Sequence, residues 1–305
     1  MGAVHIIPGL DDPTCGIAVA AKQLIARGIG DDGEVWVHSM WSPKVIKASI
    51  KALLAGKKLV RMPHGCTDPA KLQFHWHKKR WVAPIERWLF RRADRIIATC
   101  NEEVSWIKAF EPKVKKVEVV PLSLQSPAHI SCPTSHVSSK FDHDTSPKLL
   151  YIGRLHPLKG VEFLIEAMHL LQGANDTTGL IPPLHLKIIG KDEGEGKKLR
   201  CMTADYNLNV EFCGVVSEDE KEAAYQWCDV LVLPTLSENF GLVVAEALER
   251  GKRVITTDGA PVWGNGNDYG GRLIYLKGYR DGSAEERVRL LKSAIAFLVS
   301  SLTSN

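Results

Sequence analysis

Ser237-Glu238-Asn239-Phe240-Gly241-Leu242-Val243-Val244-Ala245-Glu246-Ala247-Leu248 lies between two strand-like runs, 229–235 (DVLVLPT) and 253–257 (RVITT). The order is strand, polar loop, apolar helix, strand. That succession is the repeating unit of a parallel α/β sheet. Two carboxylates punctuate it, Glu238 in the loop and Glu246 in the helix, with seven residues between them.

The junction at Asn239, Phe240, Gly241 and Leu242 presents unpaired backbone N–H groups and the positive end of a helix dipole, which suits a phosphate or diphosphate. Gly241 lets the backbone approach a ligand with no Cβ in the way. Glu246 falls about one and a half turns into the helix, at roughly 3.6 residues per turn. Its neighbours Leu242, Val243, Val244, Ala245, Ala247 and Leu248 are apolar. A charge buried there without a partner is costly, and the two hydroxyls of a ribose would satisfy it. The plainer alternative is an N-capping loop followed by a helix glutamate that leans out to solvent.

The same strand–turn–helix form opens the region from 148. A strand at 148–152 leads into Gly153-Arg154-Leu155-His156-Pro157-Leu158-Lys159-Gly160 and a helix at 161–171. Cations at a helix start are disfavoured unless an anion joins them, so Arg154 and Lys159 mark an anion site better than a bare surface. Strands at 184–189, 210–213, 229–234 and 253–257 alternate with helices near 193–205, 218–228 and 241–250, and a helix at 285–302 closes the chain. The pattern predicts a parallel doubly wound sheet.

Toward the N-terminus the elements are strand 4–8, a turn-rich loop 9–15, helix 16–26, strand 34–39, helix 43–55 and strand 58–62. That last strand delivers Pro63-His64-Gly65-Cys66 at its C-terminal end, where open α/β sheets keep their ligand crevice. Residues 71–95 are basic and aromatic together, with Trp81, Ile85, Trp88 and Leu89 at helical spacing, which predicts a core-facing stripe. The lysines and arginines then line an outer face, either simply solvated or offered to an anionic partner. A strand at 95–100, a helix at 101–110 and a strand at 117–124 follow. Residues 126–147 are Ser-, Pro- and His-rich and aperiodic, and read as a linker. Its histidines His129, His136 and His143 lack metal-ligand regularity. The chain therefore divides into domains at 1–125 and 148–305.

At 305 residues there is room for two domains of ordinary size. No window approaches the roughly 18–20 apolar residues of a membrane span, and the first residues lack the basic start of a signal peptide. The seven cysteines are odd in number and form no Cys-x-x-Cys pair, which argues for a reducing compartment over a disulfide or zinc framework. Residues 1–125 carry 20 Lys and Arg against 12 Asp and Glu, while the remainder carries 19 against 23. The basic half suggests an anionic partner, and no nucleic-acid module accompanies it.

Ser-Glu-Asn-Phe-Gly-x5-Glu-Ala at 237–247 resembles the Glu-x7-Glu signature of family 4 retaining glycosyltransferases. Gly-Arg-Leu-x3-Lys-Gly at 153–160 resembles that family's diphosphate-binding turn. The resemblance implies a GT-B fold, two Rossmann-like doubly wound domains facing a cleft, with the donor on the second domain and the acceptor on the first. It implies that Glu238 contacts the donor sugar, that Glu246 holds the ribose, and that Arg154 and Lys159 meet the diphosphate. Val216, in the turn Gly214-Val215-Val216, would lie by the base. His64 would face the transferred sugar and not act as a nucleophile. Gly16 would close over the diphosphate, although the family's usual glycine pair is here Cys15-Gly16, and its usual Pro-Asn-Gly-Val is here 121–124 (PLSL).

The implied reaction moves a sugar, with retention and without a metal, from a UDP- or GDP-linked donor to a hydroxyl of a glycan or glycolipid. No cofactor and no nucleic acid is expected. Lipopolysaccharide, capsule or exopolysaccharide assembly at the cytoplasmic membrane face is the expected setting, with residues 71–95 toward anionic lipid. A nucleotide-sugar epimerase or phosphorylase on the same fold, or a non-enzymatic nucleotide-binding module, is the alternative.

Overall fold

The computed structural model describes residues 3–8, 16–122, 146–173 and 182–303. The loop 9–15, the linker up to 145 and its three histidines lie outside them. The chain falls into two units, Met1–Ser126 and Pro127–Asn305.

The first unit holds β1 (Val4–Ile6), α1 (Gly16–Ala26), β2 (Glu34–His38), α2 (Pro43–Leu54), β3 (Lys58–Met62), α3 (Pro69–Gln73), α4 (Trp76–Arg92), β4 (Arg95–Ala98), α5 (Asn101–Phe110) and β5 (Val117–Val119). Its strands are all parallel and lie side by side in chain order. Every residue of β2 is buried, as expected of a parallel strand covered on both faces. Ser42 caps α2 through the Lys44 N–H, with Pro43 at the first helical position.

The outward reach of α4 differs from the sequence expectation. Leu89 is fully buried, but Trp81 is 73% exposed, and Ile85, Trp88 and Trp76 are exposed as well. The inward positions are Ala83, Glu86, Leu89 and Phe90. A buried ion pair sets this rotation: Arg61 Nη2 of β3 lies 2.8 Å from Glu86 Oε2, and both side chains are shielded from water. Glu86 Oε1 also accepts the Trp41 N–H at 2.8 Å. A charged residue holds the inner face, so the apolar stripe turns out.

The second unit holds β6 (Lys148–Ile152), a 3-10 turn at Pro157–Lys159, α6 (Val161–Gln172), β7 (His185–Ile189), α7 (Gly196–Asp205), β8 (Val210–Gly214), α8 (Glu218–Trp227), β9 (Val230–Leu233), α9 (Leu242–Glu249), β10 (Arg253–Thr257), a second 3-10 turn at Pro261–Trp263, β11 (Leu273–Leu276) and α10 (Ala284–Thr303). The order β11-β10-β9-β6-β7-β8 reverses direction between β9 and β6. That reversal leaves a crevice beyond the C-terminal ends of those two strands. The loops after β6 and β9 meet there: Leu236 N–H donates to the Leu158 carbonyl at 2.8 Å. Gly160 has φ 64°, and a Cβ at that position would collide with the Pro234 carbonyl oxygen, so glycine is required where the loops touch.

Candidate active site

The switch point of the second unit brings Lys159 and Glu238 together. Lys159 is buried, and its ammonium forms an ion pair with Glu238 Oε2. The other carboxylate oxygen, Oε1, accepts the Asn239 N–H at 2.9 Å, and the Glu238 N–H donates to the Gly259 carbonyl at 2.7 Å. A backbone frame therefore aims the carboxylate.

Gly241 caps α9 with φ 71°. A Cβ there would press on Leu233 Cδ2 and Trp263 Nε1, each 3.3 Å away. Trp263 Nε1 donates to the Phe240 carbonyl at 2.6 Å, and the two rings pack 5.6 Å apart. These contacts hold Asn239, Phe240 and Gly241 buried and leave Leu242 half-buried at the first position of α9.

Arg154 sits in the turn after β6, half exposed, with Nη1 2.8 Å from Glu193 Oε2. Tyr151 fixes that turn by donating to the Arg154 carbonyl at 2.9 Å. Burial, with the Glu238 charge nearby, pushes the Tyr151 phenol far above its ordinary range, so it remains a donor. Glu246, on α9, neither leans freely into solvent nor lies unpartnered. Its Oε2 accepts the Tyr225 hydroxyl at 2.7 Å and pairs with Lys221 Nζ at 2.8 Å. Oε1 takes no bond from the described residues. Tyr225 and Lys221 come from α8, and no spacing in the sequence links them to Glu246.

A hollow of about 130 Å³ opens beyond β7 and β8, lined among others by Leu155, Gly190, Asp192, Arg200, Phe212 and Val215. Arg200 stacks over Phe212, 4.6 Å from the ring centre. In the turn named from the sequence, Gly214 and Val215 line this hollow, and Val216 stands just beyond it, half-buried. Gly16 begins α1 in the first unit, and nothing among the described residues lies within 4 Å of a Cβ built there.

His64 follows β3 and is buried, with φ 53°. The next residue, Gly65, donates its N–H to Glu103 Oε1 at 2.5 Å, and Glu103 Oε2 accepts both the N–H and the hydroxyl of Thr99 at 2.7 Å. Burial raises the Glu103 carboxyl, and these bonds oppose the rise. No spacing in the sequence links His64 to its partner, His38 of β2, whose Nδ1 is 2.8 Å from His64 Nε2; His38 in turn meets His5 of β1, whose Nδ1 is 3.0 Å from His38 Nε2. Among the described residues no group of three His, Cys, Asp or Glu side chains is arranged to hold a metal.

Two parallel sheets with alternating helices, one carrying this switch-point site, define an α/β protein, and solved structures give it the GT-B fold. WaaG, a glycosyltransferase involved in lipopolysaccharide biosynthesis, superposes with TM-score 0.65 at 15% identity over 98% of this chain and 91% of its own. HepE of Anabaena, solved with UDP and glucose, gives TM-score 0.61 at 18% identity over 96% and 78%. The chain belongs to the family 4 glycosyltransferases: the Glycosyltransferase Family 4 model matches residues 3–123, and the Glycosyl transferases group 1 model matches 135–264. A D-inositol 3-phosphate glycosyltransferase of Pseudarthrobacter chlorophenolicus is 29% identical over 172 residues, 54% of this chain and 40% of that protein. A 41.2 kDa protein of the cps region of Klebsiella pneumoniae is 26% identical over 233 residues, 73% and 60%. The chain thus spans less than two thirds of the length of these curated relatives.

Proposed function

We propose that this chain transfers a sugar from a UDP- or GDP-linked donor to a hydroxyl of a glycan or lipid-linked acceptor, with retention and without a metal, in cell-surface polysaccharide assembly. The observation that carries the reading is the Lys159–Glu238 pair at the switch point of the second unit, beside the N-terminus of α9.

As the glycosidic C–O bond breaks, the leaving diphosphate gains negative charge. Lys159, Arg154 and the first N–H groups of α9 supply fixed positive charge where it develops. To take part, Arg154 exchanges Glu193 for a phosphate oxygen. Those groups do the work a divalent cation does elsewhere. Glu238 meets the donor sugar, and Glu246 offers Oε1 to the ribose while Tyr225 and Lys221 hold Oε2. The sugar is attacked from the face the diphosphate leaves, and the departing diphosphate oxygen takes the acceptor's hydroxyl proton, so no protein base is needed. The hollow at Val215 and Phe212 receives the base.

A panel of nucleotide sugars, read by released nucleoside diphosphate and by the anomeric configuration of the product, tests this. Retained configuration with free UDP or GDP supports it. An epimerised donor, or binding without release, favours the alternatives.

The exposed face of α4 is the surface for an anionic membrane. Trp76, Trp81, Ile85 and Trp88 stand beside Lys78, Arg80, Arg87 and Arg92, and Arg80 lies over the Trp81 ring. Aromatic rings suit the headgroup level, and each basic residue near an anionic surface contributes about 1 kcal/mol. The full chain is expected to sediment with phosphatidylglycerol vesicles but not with neutral ones, to release in high salt, and to bind more weakly after Trp81→Ser. No salt-sensitive binding would exclude the membrane reading.

A further inference from the structure

β2 and β3 are adjacent and parallel, so the turns after them share one end of the first unit's sheet. Three residues in those turns have positive φ although none is glycine: Ser39 at 73°, Trp41 at 69° and His64 at 53°. Such a conformation costs about 1–3 kcal/mol and persists only where the surrounding structure imposes it. Cys66 Sγ, 3.7 Å from Ser39 Oγ, ties the two turns together.

Two polar groups at this edge go unused. Trp41 Nε1–H and Thr67 Oγ1 are buried and have no partner among the described residues. Thr67 is 1% exposed, and a buried polar group left unpaired costs about 1–3 kcal/mol. Two lysines accompany them. Lys79 of α4 is half-buried, unlike its neighbours Lys78 and Arg80. Its ammonium lies 5.7 Å from the centre of the Trp41 ring and donates to the Lys71 carbonyl of α3. Lys71 is half-buried too. Burial lowers the Lys79 ammonium from its ordinary range, and the Lys71 charge adds to the fall.

The acids nearby are engaged elsewhere. Glu103 commits its carboxylate to the Gly65 N–H and to Thr99, and Asp68 caps α3 through the Ala70 N–H. Among the described residues neither lysine pairs with a carboxylate. Ammonium groups and an indole N–H only donate, so the ligand that fits them is an acceptor-only group. Two like charges held together favour a divalent anion. A phosphate monoester carries about −1.5 to −2 at pH 7, against a single charge on a carboxylate, and lysine binds phosphate as a point charge.

We propose that the first unit holds a phosphate monoester at Lys71 and Lys79, with the Trp41 N–H and the Thr67 hydroxyl as further donors, and that this group is part of the acceptor. Its belonging to an acceptor rests on the functional reading above; the anion site does not. A phosphorylated sugar and a monoester lipid headgroup share this chemistry.

The test is ¹H–¹⁵N NMR of the ¹⁵N-tryptophan-labelled full chain, with the Trp41 indole assigned through Trp41→Phe. Inorganic phosphate, glucose 6-phosphate and acetate are titrated at constant ionic strength. Phosphate and its ester are expected to move the Trp41 indole resonance along a saturating curve, and acetate is not. Lys71→Gln and Lys79→Gln each weaken that binding at least about tenfold, as loss of a charged hydrogen bond does; glutamine at 79 still donates to the Lys71 carbonyl. Lys159→Ala, in the second unit, leaves the curve unchanged. No movement of the Trp41 resonance, movement that survives both lysine changes, or an equal response to acetate would overturn the proposal. Tighter binding of phosphatidic acid vesicles than of glucose 6-phosphate assigns the group to a lipid, and the reverse assigns it to a sugar; either order supports the site. In an active transferase, an acceptor KM that Lys71→Gln leaves unmoved would overturn the link to the acceptor. Phosphate bound here in a chain that transfers no sugar would instead overturn the functional reading and leave the anion site standing.

Discussion

Glu238→Ala and Lys159→Ala each lower turnover with a nucleotide sugar at least about tenfold, equivalent to about 1.4 kcal/mol of transition-state stabilisation. Removal of one preorganised charge donor in other enzymes costs about 10²–10³ in kcat, so tenfold is the floor. The two side chains pair with each other, and groups that act as a unit lose activity non-additively. The double variant is therefore expected to fall little below the worse single one. Unimpaired thermal unfolding separates a lost site from a lost fold. Unchanged rates in both single variants would contradict the assignment.

Arg61→Ala destabilises the first unit by about 3–5 kcal/mol, the range for breaking a buried ion pair by removing one partner. Glu86 would be left charged in a shielded position with only the Trp41 N–H. Arg61 also donates to Ser49 Oγ at 3.1 Å and lies over the Phe90 ring, so several contacts fall together. Arg61→Met with Glu86→Leu removes both charges and is expected to cost far less than the sum of the single changes. Urea unfolding followed by tryptophan fluorescence measures this. A loss below about 1 kcal/mol in Arg61→Ala would mean the pair does not set the orientation of α4.

The sequence made much of the second unit legible. β6, β10 and, in the first unit, β3, α1 and α5 fall on the residues read from pattern, because glycine, proline or a polar cluster bounds each apolar run. β11 was missed: four residues after a glycine-rich loop give periodicity too little to work with. The facing of α4 was missed for a different reason. An apolar stripe at helical spacing ordinarily faces inward, and only the partner on β3 reveals that Glu86 takes that place.

The candidate site divides the same way. Lys159, Glu238 and Gly241 lie in local motifs, and their loops are brought together by adjacent strands. Tyr225 and Lys221, which hold Glu246, come from another helix. The histidine row needs three strands in register, and a linear reading has no access to register.

The most direct test of the central claim, that the second unit grips a nucleoside diphosphate at the switch point, is calorimetric titration of the full chain with UDP and with GDP, repeated on Lys159→Ala and Glu246→Ala. The account predicts that one of the two binds, and that each substitution weakens it at least about tenfold, roughly 1.4 kcal/mol. Binding of neither, or binding that both substitutions leave unchanged, would contradict it.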